Sequence, residues 1–174
     1  MSKVLDKITE KAVNALLSTF SLNTLKNWAK MTLDEKAKKL KEYYLKLGVN
    51  IGIDAKGVVV EDLESKFGKG SQGYNKGDGY LHIDKSYVNQ PDNVTDVITT
   101  ITHEARHQIQ SEAIDDPSKF PEIPLGTIAE WEDNMINYDD GSFGYESYYY
   151  QVVEVDARVF GADVVYEALK RLGL

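Results

Sequence analysis

Apolar side chains recur at helical spacing over the first quarter of the chain, and this spacing predicts three helices. Residues 2–20 carry an apolar stripe interrupted by charged residues, as in an amphipathic helix. A second, short helix is predicted over residues 21–30. A third begins at Thr32, which forms a capping box with Glu35, and ends at Gly48. The stripe of the first helix consists of Val4, Leu5, Ile8, Ala12, Ala15, Leu16 and Phe20.

After residue 48 the helical spacing gives way to short runs of β-branched and aromatic residues, which predict strands. Residues 49–54 and 57–61 are expected to form two strands joined by a turn, and residues 80–84 a third. His82 lies on the third strand, and a structural or surface role is expected for it. Residues 66–79 are rich in glycine and lysine but match no phosphate-binding fingerprint, so we expect a mobile loop beside a cleft.

Two longer helical patterns occupy the second half of the chain. The first covers residues 94–113 and follows a Pro-Asp-Asn start signal, and the second covers residues 145–172. The connector over residues 114–144 contains three prolines and a Thr127–Glu130 pair that predicts a capped short helix. A connector of this length usually has a function of its own. We expect it to form the lower wall of a cleft and to set substrate preference.

These elements predict an α+β fold with N-terminal helices, a small mixed or antiparallel sheet and two long helices. With 174 residues, of which 42% are hydrophobic, the chain can build one domain with a proper core. The prediction is a single domain over residues 1–174. Within it, residues 1–48 form a helical N-terminal part and residues 49–174 form the core that carries the chemistry.

Charge and cysteine content narrow the range of functions. The formal net charge is −8 without a long basic stripe, which argues against nucleic acid or an anionic membrane as partner. A basic protein, such as an inhibitor, suits the charge better. The chain has no cysteine, so any metal would be held by histidine and carboxylate. No signal peptide or membrane span is expected, and the cellular location is left open.

One pentapeptide within residues 94–113 indicates a metal site with an adjacent carboxylate. His103, Glu104 and His107 form an H-E-x-x-H motif, which uses two of the three histidines in the chain. On a helix the two imidazoles lie one turn apart on one face, where they can bind zinc. The glutamate between them is free to take a proton from the activated water. At about 100° per residue, both histidines fall opposite the apolar stripe of this helix, which disfavours a purely structural core role.

A catalytic zinc site usually has three protein ligands, so a third is needed. No histidine follows His107, and the best candidate is Glu154, in a Glu-x-Asp-Ala segment of the last helical pattern. The alternative for Glu154 is an ordinary surface carboxylate paired with Arg158 at i,i+4. The rival ligands are Glu112, Glu130, Glu132, Asp133 and Glu146, of which Glu112 is the weakest because it points to a different face from His107.

An H-E-x-x-H motif followed by a glutamate on a later helix resembles the glutamate-zincin metallopeptidases. More narrowly, ITHEARHQIQ and EVDARVFGAD resemble compact zincin-like peptidase domains of bacterial polymorphic toxins and phage proteins. The resemblance implies that His103, His107 and Glu154 bind Zn²⁺ and that Glu104 is the general base. It also implies that Asp156 orients one of the histidines, and that the strand before the motif forms the rim of the cleft, where substrate backbone pairs.

The last helical pattern also begins in a run of tyrosines. Tyr150 stands one turn before Glu154 and would share its face, so Tyr150, or its neighbours Tyr148 and Tyr149, could donate a hydrogen bond to an oxyanion. Packing is the simpler role for tyrosines at this density, and we take Tyr150 forward as the candidate.

The expected function is a monomeric zinc metallopeptidase that hydrolyses protein or peptide substrates, with a toxin or effector role and a cognate inhibitor or immunity protein. The alternative is a zincin-derived binding or structural module without catalysis. The ligand set alone would tolerate metals other than zinc.

Overall fold

The computed structural model describes residues 5–174, and its N-terminal part is helical. Helix α1 (Lys7–Thr19) begins where the Asp6 carboxylate accepts a hydrogen bond from the Thr9 backbone N–H at 2.8 Å. Its buried face contains Ile8, Ala12, Val13, Ala15 and Leu16. The predicted first helix is therefore confirmed from residue 7 onward, and residues 2–4 of that prediction lie outside the described residues.

The third predicted helix forms with the expected N-terminal cap. Helix α2 (Leu22–Asn27) and a 3₁₀ turn (Trp28–Lys30) precede helix α3 (Leu33–Leu47). Thr32 and Glu35 make the reciprocal bonds of a capping box at the start of α3. The end of α3 differs from the prediction, because Gly48 has helical φ and ψ and the chain continues into a π-helical turn (Gly48–Gly52). The helical conformation ends instead at Gly52, whose φ of +95° is in the region that favours glycine.

A three-stranded mixed sheet follows, in the order β1-β3-β2. Strand β1 (Gly57–Glu61) pairs in parallel with the central strand β3 (Tyr80–Asp84), and β2 (Gly73–Asn75) pairs antiparallel to β3. The short helix α4 (Leu63–Phe67) connects β1 to β2, and α5 (Lys85–Asn89) follows β3.

Two predictions about the sheet are wrong. Residues 49–54 form no strand, because the π-helical turn uses most of them. The strand at 80–84 exists, but it is central rather than at the rim. The edge beside it is β2, which arises from the glycine-rich segment that was expected to be a loop.

Helix α6 (Val94–Asp115) carries the H-E-x-x-H motif and is surrounded by other elements. Helix α9 (Val152–Arg171) packs along it, while β2, α3 and α7 (Leu125–Ile136) contact it from other sides. The predicted apolar stripe is buried, including Val97, Ile101 and Ala105. The polar side of α6 is buried too, where Glu104, Gln108 and Gln110 are almost inaccessible to solvent.

The connector and the last helix depart from the prediction. Helix α7 begins after Pro124 without a side-chain cap, so Thr127 and Glu130 form no capping box. The last helical pattern divides into α8 (Tyr145–Tyr149) and α9, because Gln151 is extended (φ −60°, ψ 145°). The Asn134 carboxamide oxygen of α7 accepts a hydrogen bond from the Val153 N–H at 3.0 Å, which fixes where α9 begins.

Within residues 5–174, no helix combines the length and apolar character needed to cross a membrane.

Candidate metal centre

Helices α6 and α9 bring His103, His107 and Glu154 together. The two Nε2 atoms lie 3.0 Å apart. Glu154 directs one carboxylate oxygen at each ring, at 3.4 Å from Nε2 of His103 and 3.5 Å from Nε2 of His107. Among the described residues these three form a group whose ligand atoms all lie within 4.8 Å of one another, so they could hold a metal ion.

The donor set and its spacing suit zinc. Two imidazole nitrogens and a carboxylate oxygen are a common ligand set of catalytic zinc sites. Ligand atoms about 2.0–2.1 Å from a tetrahedral ion stand about 3.3 Å apart, close to the separations seen here. Two imidazole nitrogens at 3.0 Å also repel each other unless a proton or a cation lies between them.

A glycine allows α9 to approach the motif closely. A Cβ atom at Gly161 would lie 3.1 Å from the Thr99 carbonyl oxygen and 3.5 Å from the His103 backbone nitrogen. Because Gly161 has no side chain, the backbone of α9 can pack directly against α6 at Thr99 and at His103. This contact places Glu154, two turns earlier on α9, opposite both imidazoles.

The centre is electrostatically unusual because Glu154 is 2% exposed and is held by two imidazoles and the hydroxyl of Tyr138. Burial works against its ionisation, yet hydrogen bonds with His103 and His107 hold its pKa well below the usual range. Burial disfavours the imidazolium of His107 as well. The Glu154 hydrogen bond and the Glu104 charge outweigh this, and they raise the pKa of His107 to about 9.

Glu104 lies beside the two histidines and Glu154. One of its oxygens is 4.0 Å from Nε2 of His103, and the side chain reaches the cleft although the residue is only 7% exposed. Burial raises the pKa of Glu104, and the positive charge of the two histidines opposes the shift. A carboxylate whose pKa is raised is a stronger base than an exposed one.

Asp156 does not take the expected role, because it contacts neither histidine. Its carboxylate accepts two hydrogen bonds from Arg106, at 2.7 and 3.0 Å, and one from Gln110 Nε2 at 2.8 Å. The group that meets His107 is Gln110, whose Oε1 is 2.8 Å from Nδ1 of the ring. Asp156 is two residues after Glu154 and therefore points to another side of α9.

Tyr150 is also displaced from its expected position. It is 71% exposed, and the extended residue Gln151 separates it from α9, so it does not share the face of Glu154. Two other tyrosines lie at the centre instead. Tyr138 donates a hydrogen bond to Glu154 Oε1 at 2.8 Å. The ring of Tyr148 lies edge-on to the ring of Tyr138, with the two centroids 6.3 Å apart. Burial and the charge of Glu154 raise the pKa of both hydroxyls, which keeps them as donors.

Sequence reasoning named Tyr148 as one of three neighbours and missed Tyr138 and Gln110. Tyr138 follows α7 in a loop without a motif. Gln110 lies one turn after His107 on α6, and this i,i+3 spacing is the signal that could have identified it.

The rival ligands lie elsewhere. Glu112 accepts hydrogen bonds from the Asp54 N–H and from Lys119. The other four rivals, Glu130, Glu132, Asp133 and Glu146, are exposed. Arg158 does not pair with Glu154, since its guanidinium stacks on Tyr149 and binds the Tyr149 carbonyl oxygen.

A groove passes through the centre in two sections of about 420 and 1250 Å³. One wall of both is the segment around β2, with Gly73, Tyr74 and Lys76, and the other includes Tyr138 and Tyr148. The glycine-rich segment therefore lies beside the cleft as predicted. Met135 and Tyr138 add the end of the connector to the wall. His82 is outside, where it binds Glu61 and stacks on Tyr74.

Comparison with known protein families, curated proteins and solved structures found no match for this chain.

Proposed function

We propose that the protein is a zinc-dependent metallopeptidase of the glutamate-zincin type. The observation that carries the proposal is the convergence of His103, His107 and Glu154 beside a buried Glu104 in an open groove. This combination of three ligands, an adjacent base and room for an extended chain is what metal-assisted peptide hydrolysis needs.

His103, His107 and Glu154 would hold the ion, which when bound would supply a water of lowered pKa and a Lewis acid for the substrate carbonyl. Glu104 accepts the proton of the water that attacks the peptide carbon. Glu104 then delivers this proton to the amide nitrogen as the carbon–nitrogen bond breaks. Its raised pKa suits a group that alternates between the two forms.

Tyr138 and Tyr148 line both sections of the groove, and their hydroxyls could donate to the negative charge that develops on the substrate oxygen. Tyr138 bonds Glu154 in this structure, so donation to a substrate would require its hydroxyl to turn from the carboxylate. These two residues take the place that Tyr150 had in the sequence-based hypothesis.

An extended peptide suits the groove. Among residues 5–174, strand β2 pairs only with β3, and its segment forms a wall of both groove sections. Its free edge can pair with a substrate backbone as an additional strand. The binding edge is thus β2 rather than the predicted residues 80–84.

The test begins with metal content. We expect about one zinc ion per molecule in the parent chain after reconstitution, and sharply weaker binding in His103→Ala and Glu154→Ala. His82→Ala is the matched control, because His82 is the one histidine outside the group. A parent chain that binds no zinc, or variants that bind as tightly as the parent, would refute the site.

Turnover is tested separately with Glu104→Gln on a broad peptide library. This variant should retain zinc and lose hydrolysis by a factor of about 10²–10⁴. Full activity in Glu104→Gln would refute the mechanism. A zinc-loaded parent that cleaves nothing in the library would favour the alternative, a zincin-like binding module.

A further inference from the structure

We infer that Gln110 is a positioning residue that sets the tautomer of the His107 ring and, through the same carboxamide, holds Glu154 in place. The inference rests on the proposed metal site, and it concerns how the chain prepares two of the three ligands before any metal arrives.

The orientation of the Gln110 carboxamide is determined by its neighbours. Its Nε2 lies 3.0 Å from the Val153 carbonyl oxygen and 2.8 Å from Asp156 Oδ2. Both neighbours can only accept hydrogen bonds, so the carboxamide must present its NH₂ group to them. Its oxygen then has to face His107. The reverse orientation would place three oxygens together in a buried position.

This orientation dictates which nitrogen of His107 carries the hydrogen. Gln110 Oε1, 2.8 Å from Nδ1 of His107, is an acceptor, so Nδ1 must donate. In the neutral ring the lone pair is then on Nε2, which points at His103 and Glu154. The ring is therefore held in the tautomer that a metal at this position requires.

The same carboxamide also acts on Glu154. Val153, whose carbonyl oxygen accepts from Gln110, immediately precedes Glu154 in the first turn of α9. Gln110 on α6 thus joins the backbone beside one ligand to the ring of another. A shift of α9 along α6 would break this bond and move the Glu154 carboxylate away from the imidazoles.

Asp156 and Arg106 keep the arrangement rigid. Arg106 holds both oxygens of Asp156, and its guanidinium lies between the rings of Trp131 and Phe160, at 5.1 and 4.8 Å from their centroids. The Asp156 carboxylate is thus held in the orientation that accepts the hydrogen bond from Gln110. The carboxylate expected to contact a histidine acts through Gln110, and a neutral amide takes its place at the ring.

A neighbouring glutamine provides a matched control. Gln108 is on the same helix and equally buried, but its oxygen accepts from the Gly79 N–H at 3.2 Å and its nitrogen donates to Glu112 at 2.7 Å. It contacts none of the three ligands in these bonds. Replacing either glutamine by methionine removes a buried carboxamide and keeps a side chain of similar size. Only Gln110→Met should lower the affinity for zinc.

The first measurement is zinc affinity in the two variants, made with chelator-buffered zinc. We expect the dissociation constant to rise about 10–100-fold in Gln110→Met and less than about threefold in Gln108→Met. Equal affinities in Gln110→Met and the parent would overturn the inference. A parent that binds no zinc would refute the proposed function instead, and the two failures are thereby distinguished.

The second measurement needs no zinc, and its decisive result comes from the parent chain. Side-chain ¹⁵N shifts of the metal-free parent at alkaline pH, where imidazoles are neutral, report the tautomer of His107. We expect the Nδ1–H form in the parent and in Gln108→Met, and its loss in Gln110→Met. The Nε2–H form in the parent would overturn the inference whatever the zinc affinities are.

Discussion

Two carboxylates of this chain are buried to the same degree in different regions, and their partners differ. Asp84, at the end of β3, is 1% exposed, and Glu154, at the α6–α9 contact, is 2% exposed. Asp84 accepts hydrogen bonds from backbone N–H groups of four residues, Leu63, Glu64, Ser86 and Tyr87. Glu154 meets two imidazoles and a tyrosine hydroxyl.

The difference lies in whether the partners of the buried charge are fixed or replaceable. Backbone donors cannot turn away, so Asp84 is permanently satisfied and caps the start of both α4 and α5. The partners of Glu154 are side chains that can lose a proton or rotate, which leaves its oxygens available to a cation. A buried carboxylate with replaceable partners is costly for stability alone, and this points to a binding role.

The largest effect should come from Glu154→Gln. Structural zinc sites supply about 10–16 kcal/mol from four ligands, or roughly 2.5–4 kcal/mol each, so zinc affinity should fall about 10²–10³-fold. Asp84→Asn should bind zinc as the parent does once both are folded. Titration of each variant with chelator-buffered zinc provides the check. Similar losses in the two variants would erase the distinction between the two carboxylates.

The next effect is a dependence of zinc affinity on pH. Below pH 9 zinc must displace a proton from His107, because Glu154 and Glu104 raise the pKa of that ring to about 9. Zinc affinity should therefore fall about tenfold per pH unit below 9, or about 100-fold at pH 7. For the metal-free protein the sign is the reverse. The His107 contribution to stability is full below its unfolded pKa of 6.5, and it is lost as pH rises through about 9.

Asp84 should show the opposite pH window. Burial opposes its ionisation, but the hydrogen bonds from Ser86 and from the backbone lower its pKa from 3.8 to about 2. Its contribution is therefore present above pH 3.8 and lost as pH falls through about 2. Unfolding midpoints in denaturant across both windows test the pair. Glu154→Gln should remove the alkaline change alone, and a pH profile identical to that of the parent would contradict the assignment.

The smallest of the three effects is the loss of stability in Asp84→Asn. The pKa shift of Asp84 corresponds to about 2 kcal/mol in the free energy of unfolding at neutral pH. We expect a decrease of about this size for Asp84→Asn, measured by denaturant unfolding of the metal-free protein. Asp62→Asn is a suitable control, because Asp62 also caps α4 but is solvent-exposed at its side chain. An equal loss in both variants would show that burial of Asp84 adds nothing.

Local patterns predicted the parts of the centre that depend on one helix. The H-E-x-x-H spacing places His103 and His107 one turn apart wherever α6 lies, and the Thr32–Glu35 capping box likewise depends on a segment of four residues. The strand at 80–84 and the helical character of residues 152–171 also follow from their own composition. In each case the signal and the structure span the same few residues.

Contacts between distant segments decided the rest. Asn134 of α7 fixes the start of α9, which separates Tyr150 from Glu154. Pairing with β3 turns a glycine-rich segment into an edge strand, and packing of α9 at Gly161 covers the polar face of α6. Gln110 and Tyr138 gained their roles in the same way. The sequence by itself determined that His103 and His107 lie one turn apart on one helix, since that depends on helical periodicity. The hydrogen-bond partners in the centre depended on tertiary packing. These partners are 16 to 50 residues apart in the sequence, and contacts over such separations leave no local pattern.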